Sequence, residues 1–406
     1  MDMPTAEDYI RAVQNPAAAF QHPSLRQATF EVHPLLGIPM PASGTSAIVF
    51  KATVDGQSQA LRFLTRPDAA TRQRYTALNR YFVERDLTKD VATSQWVDNA
   101  ITVNGRTWPM VRMQWVDGHT LNNHVEDLVE AGDTAAISAL AVSWRNLVRR
   151  MQSARFAHGD LQHGNVMVEA DGTLRLVDFD SAWIEPFAGS APPPETGHRN
   201  YQRPDRPWGP WMDTFPGLVI YLSLLALSRS TKTWEHLHNG ENLLFGSQDF
   251  APPHQTQAWW EISQLSDPDV ASMSGRLKAC CAPSWTADTS LEGLLSAPIP
   301  WWARTSTVAL PKVAPVAPPP VPQPVTPASW WTPPPPVAPP RVRKWRWIVV
   351  ISLLVWVVAF GIIAGAVGSE PGGAAGAVTG LVLATATFTV LAATRKRPAK
   401  PVGRPR

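Results

Sequence analysis

Cysteine is almost absent from this sequence, and charge of either sign is scarce. The 406 residues include two cysteines, Cys280 and Cys281, which are adjacent. Adjacent cysteines have poor geometry for a disulfide and the wrong spacing for a zinc site, so we expect both to be reduced and structural. Charged residues make up only 17% of the chain and 40 residues are proline, a composition that argues against one compact domain.

The first residues lack the apolar core of a secretory signal peptide. Residues 1–10 contain acids and no continuous apolar run. A signal peptide needs such a run behind a basic start. We therefore expect the part of the chain that precedes any membrane segment to be cytoplasmic.

Net positive charge is confined to the end of the chain. Residues 341–406 hold ten Lys and Arg with a single acid, which leaves 26 basic and 32 acidic residues before them. An acidic surface disfavours the phosphate backbone of nucleic acids, so we expect no nucleic-acid partner. The basic end needs another explanation.

Apolar runs long enough to cross a membrane occur only in this basic end. Residues 347–368 and 374–394 carry no charge, and the loop between them has Glu370 as its one charged residue. At about 1.5 Å per residue, each run can cross a hydrocarbon core of about 30 Å. Because basic residues flank both runs, the sequence predicts two transmembrane helices in the cell membrane with both termini cytoplasmic. The basic tail is residues 395–406.

Each predicted span also has small residues one turn apart. Gly361 and Gly365 lie in the first span, and Gly376 and Gly380 in the second. Such spacing allows helices to approach closely in a bilayer. The packing partner is either the other helix of the hairpin or a second protomer in a homodimer.

The segment before the spans is dominated by proline. Residues 298–340 contain 16 prolines, which cannot bury a core and favour an extended polyproline II conformation. We interpret residues 297–346 as a linker with a basic juxtamembrane end. Its PxxP-type runs are also of the kind that SH3 or WW domains bind.

Residues 1–296 show signals for both strands and helices. Asp-Gly or Asn-Gly turns at 55–56, 104–105 and 171–172 each separate two β-rich runs, a pattern typical of hairpins. Helical patterns cover residues 67–84, 134–153 and 214–228. The sequence therefore predicts an α+β fold, in which the apolar run 215–227 is too short to span a membrane and is the central helix of a domain.

The strongest chemical signal lies at residues 158–165, which read HGDLQHGN, and at residues 178–180, which read DFD. Phosphoryl transfer needs a carboxylate to orient the attacking hydroxyl and oxygen ligands for Mg²⁺. Asp160 is the candidate for the first role, and Asn165 and Asp178 are the candidate metal ligands. The hairpin at 171–172 folds the two metal ligands back towards each other.

These motifs resemble those of the protein-kinase-like superfamily, over about residues 35–296. The resemblance implies a bilobal kinase-like fold, with an N-lobe at about 35–113, a C-lobe at about 119–296 and an N-terminal extension at 1–34. It also implies binding of ATP and Mg²⁺, with His158 among the catalytic residues. Asp213 resembles the buried acid that accepts backbone N–H groups from the catalytic loop.

The same resemblance assigns residues to nucleotide binding. Residues 42–49 match the glycine-rich loop with only Gly44 kept, Arg62 replaces the phosphate-binding lysine, and Met113 is at the gatekeeper position. The residues that the resemblance places around the nucleotide are Gly44, Thr45, Val49, Ala60, Arg62, Met113, Gln114, Val116 and Asp117. Asp117 is the one expected to face the ribose.

Two departures from the kinase pattern concern charge. The helix after Arg62 should present a glutamate to this cation, yet no acid lies between Asp68 and Glu84, so the ion pair is either missing or rebuilt. Asp180 replaces the glycine of the DFG motif. It either restricts the motif or adds a carboxylate near the metal.

The resemblance leaves three functions open. We expect transfer of the ATP γ-phosphate to a hydroxyl, with Ser or Thr of a protein as the first choice. The alternatives are a catalytically impaired pseudokinase scaffold and a small-molecule kinase, since Gly159 and His163 resemble the loop of aminoglycoside and choline kinases. Residues 161–168, 174–178 and 197–204 look like an uncharacterised bacterial kinase-like group that also carries arginine at the lysine position.

Overall fold

The structure, a computed structural model, describes residues 3–43, 47–65, 69–194 and 197–303. The predicted linker, both predicted spans and the basic tail lie outside these residues, apart from the start of the linker. Over the described ranges the fold is α+β, as the sequence predicts. No helix in these ranges is long and apolar enough to cross a bilayer.

The elements follow each other in an order that places most strands before residue 121 and most helices after it. The strands are β1 (Thr29–Phe30), β2 (Pro41–Ser43), β3 (Ala47–Val54), β4 (Gln57–Leu64), β5 (Ser94–Val103), β6 (Arg106–Gln114), β7 (Gly118–Thr120), β8 (Phe156–Ala157), β9 (Val166–Glu169), β10 (Leu174–Leu176) and β11 (Trp183–Ile184). The helices are α1 (Ala6–Val13), α2 (Pro16–Ala19), α3 (Pro23–Arg26), α4 (Ala69–Glu84), α5 (Leu121–Glu130), α6 (Thr134–Ser153), α7 (Thr214–Arg229), α8 (Lys232–Leu237), α9 (Gln257–Gln264), α10 (Pro268–Cys280) and α11 (Leu291–Ser296).

Six of the described strands form an antiparallel sheet in the order β1-β3-β4-β6-β5, with β2 also paired to β3. Two tight turns fix its register. Asp55 and Gly56 join β3 to β4 with φ of 52° and 75°, and Asn104 and Gly105 join β5 to β6 with φ of 51° and 76°. Positive φ at both turn residues matches the twist of the flanking strands, which explains why the sequence predicts these hairpins correctly.

The N-terminal segment, interpreted from the sequence as an extension, packs on this sheet. The Tyr9 hydroxyl donates to the Leu64 carbonyl at 3.0 Å, and the Tyr9 ring stacks on Phe63 with centroids 5.1 Å apart. Val13, Phe20 and Leu25 are buried in the same cluster. Residues 3–34, the described part of this segment, therefore contribute to the core beneath the sheet.

The helical half is organised around α7. Nearly every residue of this helix is buried, as expected for the central helix that the sequence predicts. The indole Nε1 of Trp144 on α6 donates to the Gly217 carbonyl of α7 at 2.9 Å. Cys280 and Cys281 are both buried and unpaired, which confirms the expectation that they are reduced.

Two small strand pairings position the loops that carry the predicted chemistry. β7, β9 and β10 form one small sheet, and β8 pairs with β11 through Phe156 opposite Ile184 and Ala157 opposite Trp183. β8 ends directly before His158, and β11 begins three residues after Asp180. The two motif loops are therefore held side by side.

Candidate active site

Asp213 holds the start of the loop at residues 158–165, the first of the two motifs. Its carboxylate accepts the backbone N–H of His158 at Oδ2 and that of Gly159 at Oδ1, the latter at 3.0 Å. Asp213 is fully buried, and burial raises the pKa of its carboxyl, opposed by His158 and by these two hydrogen bonds. The predicted role of Asp213 as acceptor for the loop is confirmed.

Close packing fixes the conformation of the same loop. Gly159 has φ of 81°, a region that favours glycine. A Cβ at Gly159 would overlap the backbone carbonyl of Ser181, and a Cβ at Gly197 would lie 2.8 Å from the Gly159 carbonyl oxygen. Three chain segments thus meet where only glycine leaves enough space.

The Asp160 carboxylate is oriented by neutral donors. The amide Nδ2 of Asn165 donates to Asp160 Oδ2 at 2.9 Å and to the Asp160 carbonyl at 2.8 Å. Gln162 Nε2 donates to the same Oδ2 at 3.0 Å, and the backbone N–H of His198 donates to Oδ1 at 2.7 Å. Asp160 is therefore held in one orientation by neutral donors, and the guanidinium of Arg206 interacts with it electrostatically.

His158 holds the two motif loops together. Its Nε2 donates to the Val177 carbonyl at 2.8 Å, and its Nδ1 accepts the Asp160 N–H at 3.3 Å. The residue is 0% exposed, so its ring has no free face for a substrate. The structure places this predicted catalytic residue in a positioning role.

Asp178 lies beside this loop and is more open to solvent. Val177 N–H donates to the Asn165 carbonyl at 3.0 Å, which brings the two predicted metal ligands to neighbouring positions. The Asp178 side chain is 47% exposed, and its φ is 66°. Its neighbour Phe179 is buried against Phe82 with ring centroids 5.1 Å apart, which anchors the motif.

Arg62 on β4 reaches across to this second motif. Its Nη1 donates to Asp178 Oδ1 at 2.8 Å and to the Tyr75 hydroxyl at 2.8 Å. Its Nη2 pairs with Asp180 Oδ2 at 2.5 Å, and the Tyr75 hydroxyl donates to Asp180 Oδ1 at 2.6 Å. The ion pair that the sequence left as missing or rebuilt is therefore rebuilt, with Asp180 supplying the carboxylate and Tyr75 the contact from α4.

The carboxylates around Arg62 keep its guanidinium charged. Arg62 is 6% exposed. Burial alone would lower the pKa of its guanidinium, but Tyr75, Asp178 and Asp180 outweigh burial and hold this pKa above its usual value. Burial also raises the pKa of the Tyr75 phenol. Arg62 is therefore charged and Tyr75 is a neutral donor at physiological pH.

The predicted nucleotide residues fall into two groups. Ala60 lies opposite Met113 in the register of β4 and β6, and both are buried in a small apolar cluster that Val49 also contacts. Val116, on the connection from β6 to β7, is buried as well. Ala60, Met113 and Val49 thus form an apolar cluster on strands β3, β4 and β6, and β4 also carries Arg62.

The remaining predicted nucleotide residues are polar or undescribed. Gln114 is exposed, and its N–H donates to the Thr93 carbonyl at 2.9 Å. The Asp117 side chain is 78% exposed and lies 3.9 Å from Lys51 Nζ, so a cation already faces it. Gly44 and Thr45 lie outside the described residues.

The donor set fits Mg²⁺ bound together with phosphates. Nowhere in the described ranges do three His, Cys, Asp or Glu side chains converge to hold a metal by themselves. Mg²⁺ is usually bound by one or two protein ligands together with phosphate oxygens and water. Asn165 uses its amide nitrogen to bind Asp160, so its amide oxygen could serve as a ligand for a cation together with the exposed carboxylate of Asp178.

Sequence reasoning missed two contributors to the site. Tyr75 went unnoticed because a search for an acid on α4 overlooks a phenol; its signal is a polar atom on the buried face of that helix. The backbone N–H of His198 could not be read from residue identity. The ring of His198 accepts the Asn200 N–H at 3.3 Å, so it anchors its own loop.

The chain matches no model of a known protein family and no curated protein. The function of the site therefore has to be argued from the chemistry of its own residues.

Proposed function

We propose that this chain is a membrane-tethered, bilobal kinase-like protein that binds Mg-ATP and transfers the γ-phosphate to a hydroxyl, with Ser or Thr of a protein as the first choice of acceptor. The observation that carries the proposal is the 3.0 Å hydrogen bond from the Val177 N–H to the Asn165 carbonyl, which brings Asn165 and Asp178 to neighbouring positions. The two expected metal ligands therefore lie beside the oriented carboxylate of Asp160.

The residues support a division of labour in phosphoryl transfer. Asp160 is oriented to accept a hydrogen bond from an attacking hydroxyl, because Gln162, Asn165 and the backbone of His198 fix its carboxylate. Asn165 and Asp178 would hold Mg²⁺, which would neutralise charge on the phosphates. Arg62 supplies a cation for phosphate oxygens, and its planar head allows two parallel hydrogen bonds.

A pseudokinase scaffold is the second candidate, and one observation favours it. Arg62 forms ion pairs with Asp178 as well as with Asp180. The cation expected to bind phosphate and the carboxylate expected to bind the metal are therefore already paired with each other. A small-molecule kinase gains less support, because His163 is buried and its Nδ1 lies 2.5 Å from the Tyr201 hydroxyl. That histidine holds the loop and does not face an acceptor.

Phosphotransfer is tested with the full-length chain purified in mild detergent. Wild type should gain thermal stability from ATP with Mg²⁺ and transfer labelled γ-phosphate to itself, to a generic protein or to small hydroxyl compounds. Asp178→Asn should lose the stabilisation. Asp160→Asn should keep it and lose the transfer, because orientation affects turnover more than affinity.

The matched control is Asp171→Asn, an exposed acid in the turn between β9 and β10. It should behave like wild type in both assays. A wild-type chain that shows neither Mg²⁺-dependent stabilisation nor any transfer would eliminate the enzyme and leave the scaffold.

The membrane topology is a separate part of the proposal. It is supported by the two uncharged runs and their basic flanks. Reporter fusions placed at Pro371 and at Arg406 should show export of the first and cytoplasmic retention of the second. An exported reporter at Arg406 would mean that the second run does not span.

A further inference from the structure

We infer that Asp180, held by Tyr75, is the permanent counterion of Arg62 and so a positioning residue, whereas Asp178 is an exchangeable partner that leaves Arg62 when a divalent cation binds. This inference rests on the proposed function, because it concerns the metal and the phosphates at the same site. It assigns different roles to two carboxylates that lie two residues apart.

Arg62 needs a counterion at all times because it is buried. Its side chain is 7% exposed, and an unpaired charge in such a place is strongly destabilising. Helix α4 contributes no carboxylate here, since its one acid, Glu84, pairs with Arg80 at 2.6 Å on the exposed face. The counterion must therefore come from the 178–180 loop.

Asp180 has the geometry of a permanent partner. Both of its oxygens contact Arg62, at 3.2 Å to Nη1 and 2.5 Å to Nη2, and Oδ1 also accepts the Tyr75 hydroxyl. Its side chain is 20% exposed. Two-point contact with a guanidinium and a third hydrogen bond from a phenol fix the orientation of the carboxylate.

Asp178 has the geometry of an exchangeable partner. A single oxygen contacts Arg62 at 2.8 Å, and the side chain is 47% exposed. Moving this carboxylate to a cation leaves Arg62 with Asp180, so no buried charge is stranded. After the same move, the two N–H groups of Nη1 still have the Tyr75 hydroxyl and Asp180 Oδ1 as acceptors.

The test measures the Mg²⁺ concentration that gives half-maximal binding of a fluorescent ATP analogue to the full-length chain in detergent. Asp180→Asn should raise this concentration about tenfold, because Arg62 then depends on Asp178 and competes with the cation. Tyr75→Phe should raise it about threefold, although a phenol is not a magnesium ligand. Asp180→Glu should restore part of the loss.

Three results would overturn the inference. If Asp180→Asn raises the Mg²⁺ requirement and Tyr75→Phe does not, Asp180 is a metal ligand. If Asp180→Asn lowers the melting temperature and leaves the Mg²⁺ requirement unchanged, its role is structural only. If Asp180→Asn does not fold, an unchanged Mg²⁺ requirement in Tyr75→Phe is enough to reject the inference.

A measurement without nucleotide separates this inference from the proposed function. Asp180→Asn should lower the melting temperature of the metal-free chain by about 5–10 °C, and Asp178→Asn by less than half as much, because the more buried carboxylate loses more contacts. If wild type binds no nucleotide but this order holds, phosphotransfer fails and the counterion assignment stands. A loss at Asp178 equal to that at Asp180 rejects the assignment.

Discussion

The two carboxylates expected to act on a substrate, Asp160 and Asp178, are held in opposite ways. Asp160 accepts hydrogen bonds from two side-chain amides and one backbone N–H. Asp178 accepts from the buried guanidinium of Arg62. One side of the site is a neutral hydrogen-bond network, and the other is an ionic cluster.

The difference bears on what each side can do. A network of neutral donors holds Asp160 in a fixed orientation, which suits an acceptor for a hydroxyl proton. In an ionic cluster, a carboxylate such as Asp178 can leave its guanidinium partner and bind another cation. The neutral side therefore suits orientation, and the ionic side suits a response to metal and phosphate.

The largest expected effect is on the ionic side. Arg62→Met removes the cation and leaves Asp178 and Asp180 side by side without compensation, so we expect the free energy of unfolding to fall by about 3–5 kcal/mol. The control is Arg72→Met, because Arg72 pairs with Asp98 on the surface, where both side chains are at least half exposed. That change should cost less than about 1 kcal/mol.

Urea unfolding of the full-length chain, followed by tryptophan fluorescence, measures both variants. Losses of equal size would show that the buried cluster is not more demanding than a surface ion pair. The ionic cluster around Arg62 would then contribute no more to stability than an ordinary surface ion pair.

The next effect tests whether the neutral side must remain neutral. His163 is buried, and its Nδ1 lies 2.5 Å from the Tyr201 hydroxyl, which itself accepts the Leu243 N–H. Burial lowers the pKa of His163 to about 4, and the neighbouring His198 and His238 act in the same direction. An unfolded histidine titrates near 6.5, so the unfolded state binds the proton more readily.

Stability should therefore be complete above about pH 6.5 and decline as the pH falls towards 4. The His163 contribution to this decline is about 3 kcal/mol. His163→Asn should lose less stability than wild type between pH 7 and pH 4, whereas substitution of the exposed His22 should leave the decline unchanged. Parallel profiles for wild type and His163→Asn would show that His163 takes up its proton without disturbing the fold.

The same contrast explains how much of the site could be predicted. Two donors to Asp160, Gln162 and Asn165, lie within five residues of it in one motif, so the sequence alone identifies the loop. Arg62 meets Asp180 across 118 residues, and nothing in the local sequence fixes that pairing. The sequence shows that α4 lacks an acid, and only the fold shows that Tyr75 and Asp180 make up for it.

For the fold as well, local sequence patterns predict individual helices and strands, whereas they do not predict long-range packing. The pattern at residues 134–153 predicts α6 with its observed bounds, Thr134–Ser153. The strand before the 104–105 turn extends back to Ser94, and its start is hard to predict because an irregularity between Val97 and Ile101 breaks the alternation of its side chains. The packing of residues 3–34 on the sheet involves partners far along the chain, such as Leu64 for Tyr9.

The smallest expected effect concerns a single donor on the neutral side. Gln162 gives Asp160 one hydrogen bond at 3.0 Å, whereas Asn165 gives the same residue two. If the network holds Asp160 through several interchangeable neutral donors, Gln162→Ala should lower the free energy of unfolding by about 0.5–1 kcal/mol. Asn165→Ala should cost roughly twice that, since its bonds reach both the side chain and the backbone. Urea unfolding of the two variants beside wild type measures the difference, and a Gln162 loss as large as the Asn165 loss would mean that the orientation of Asp160 depends on one amide and not on a network.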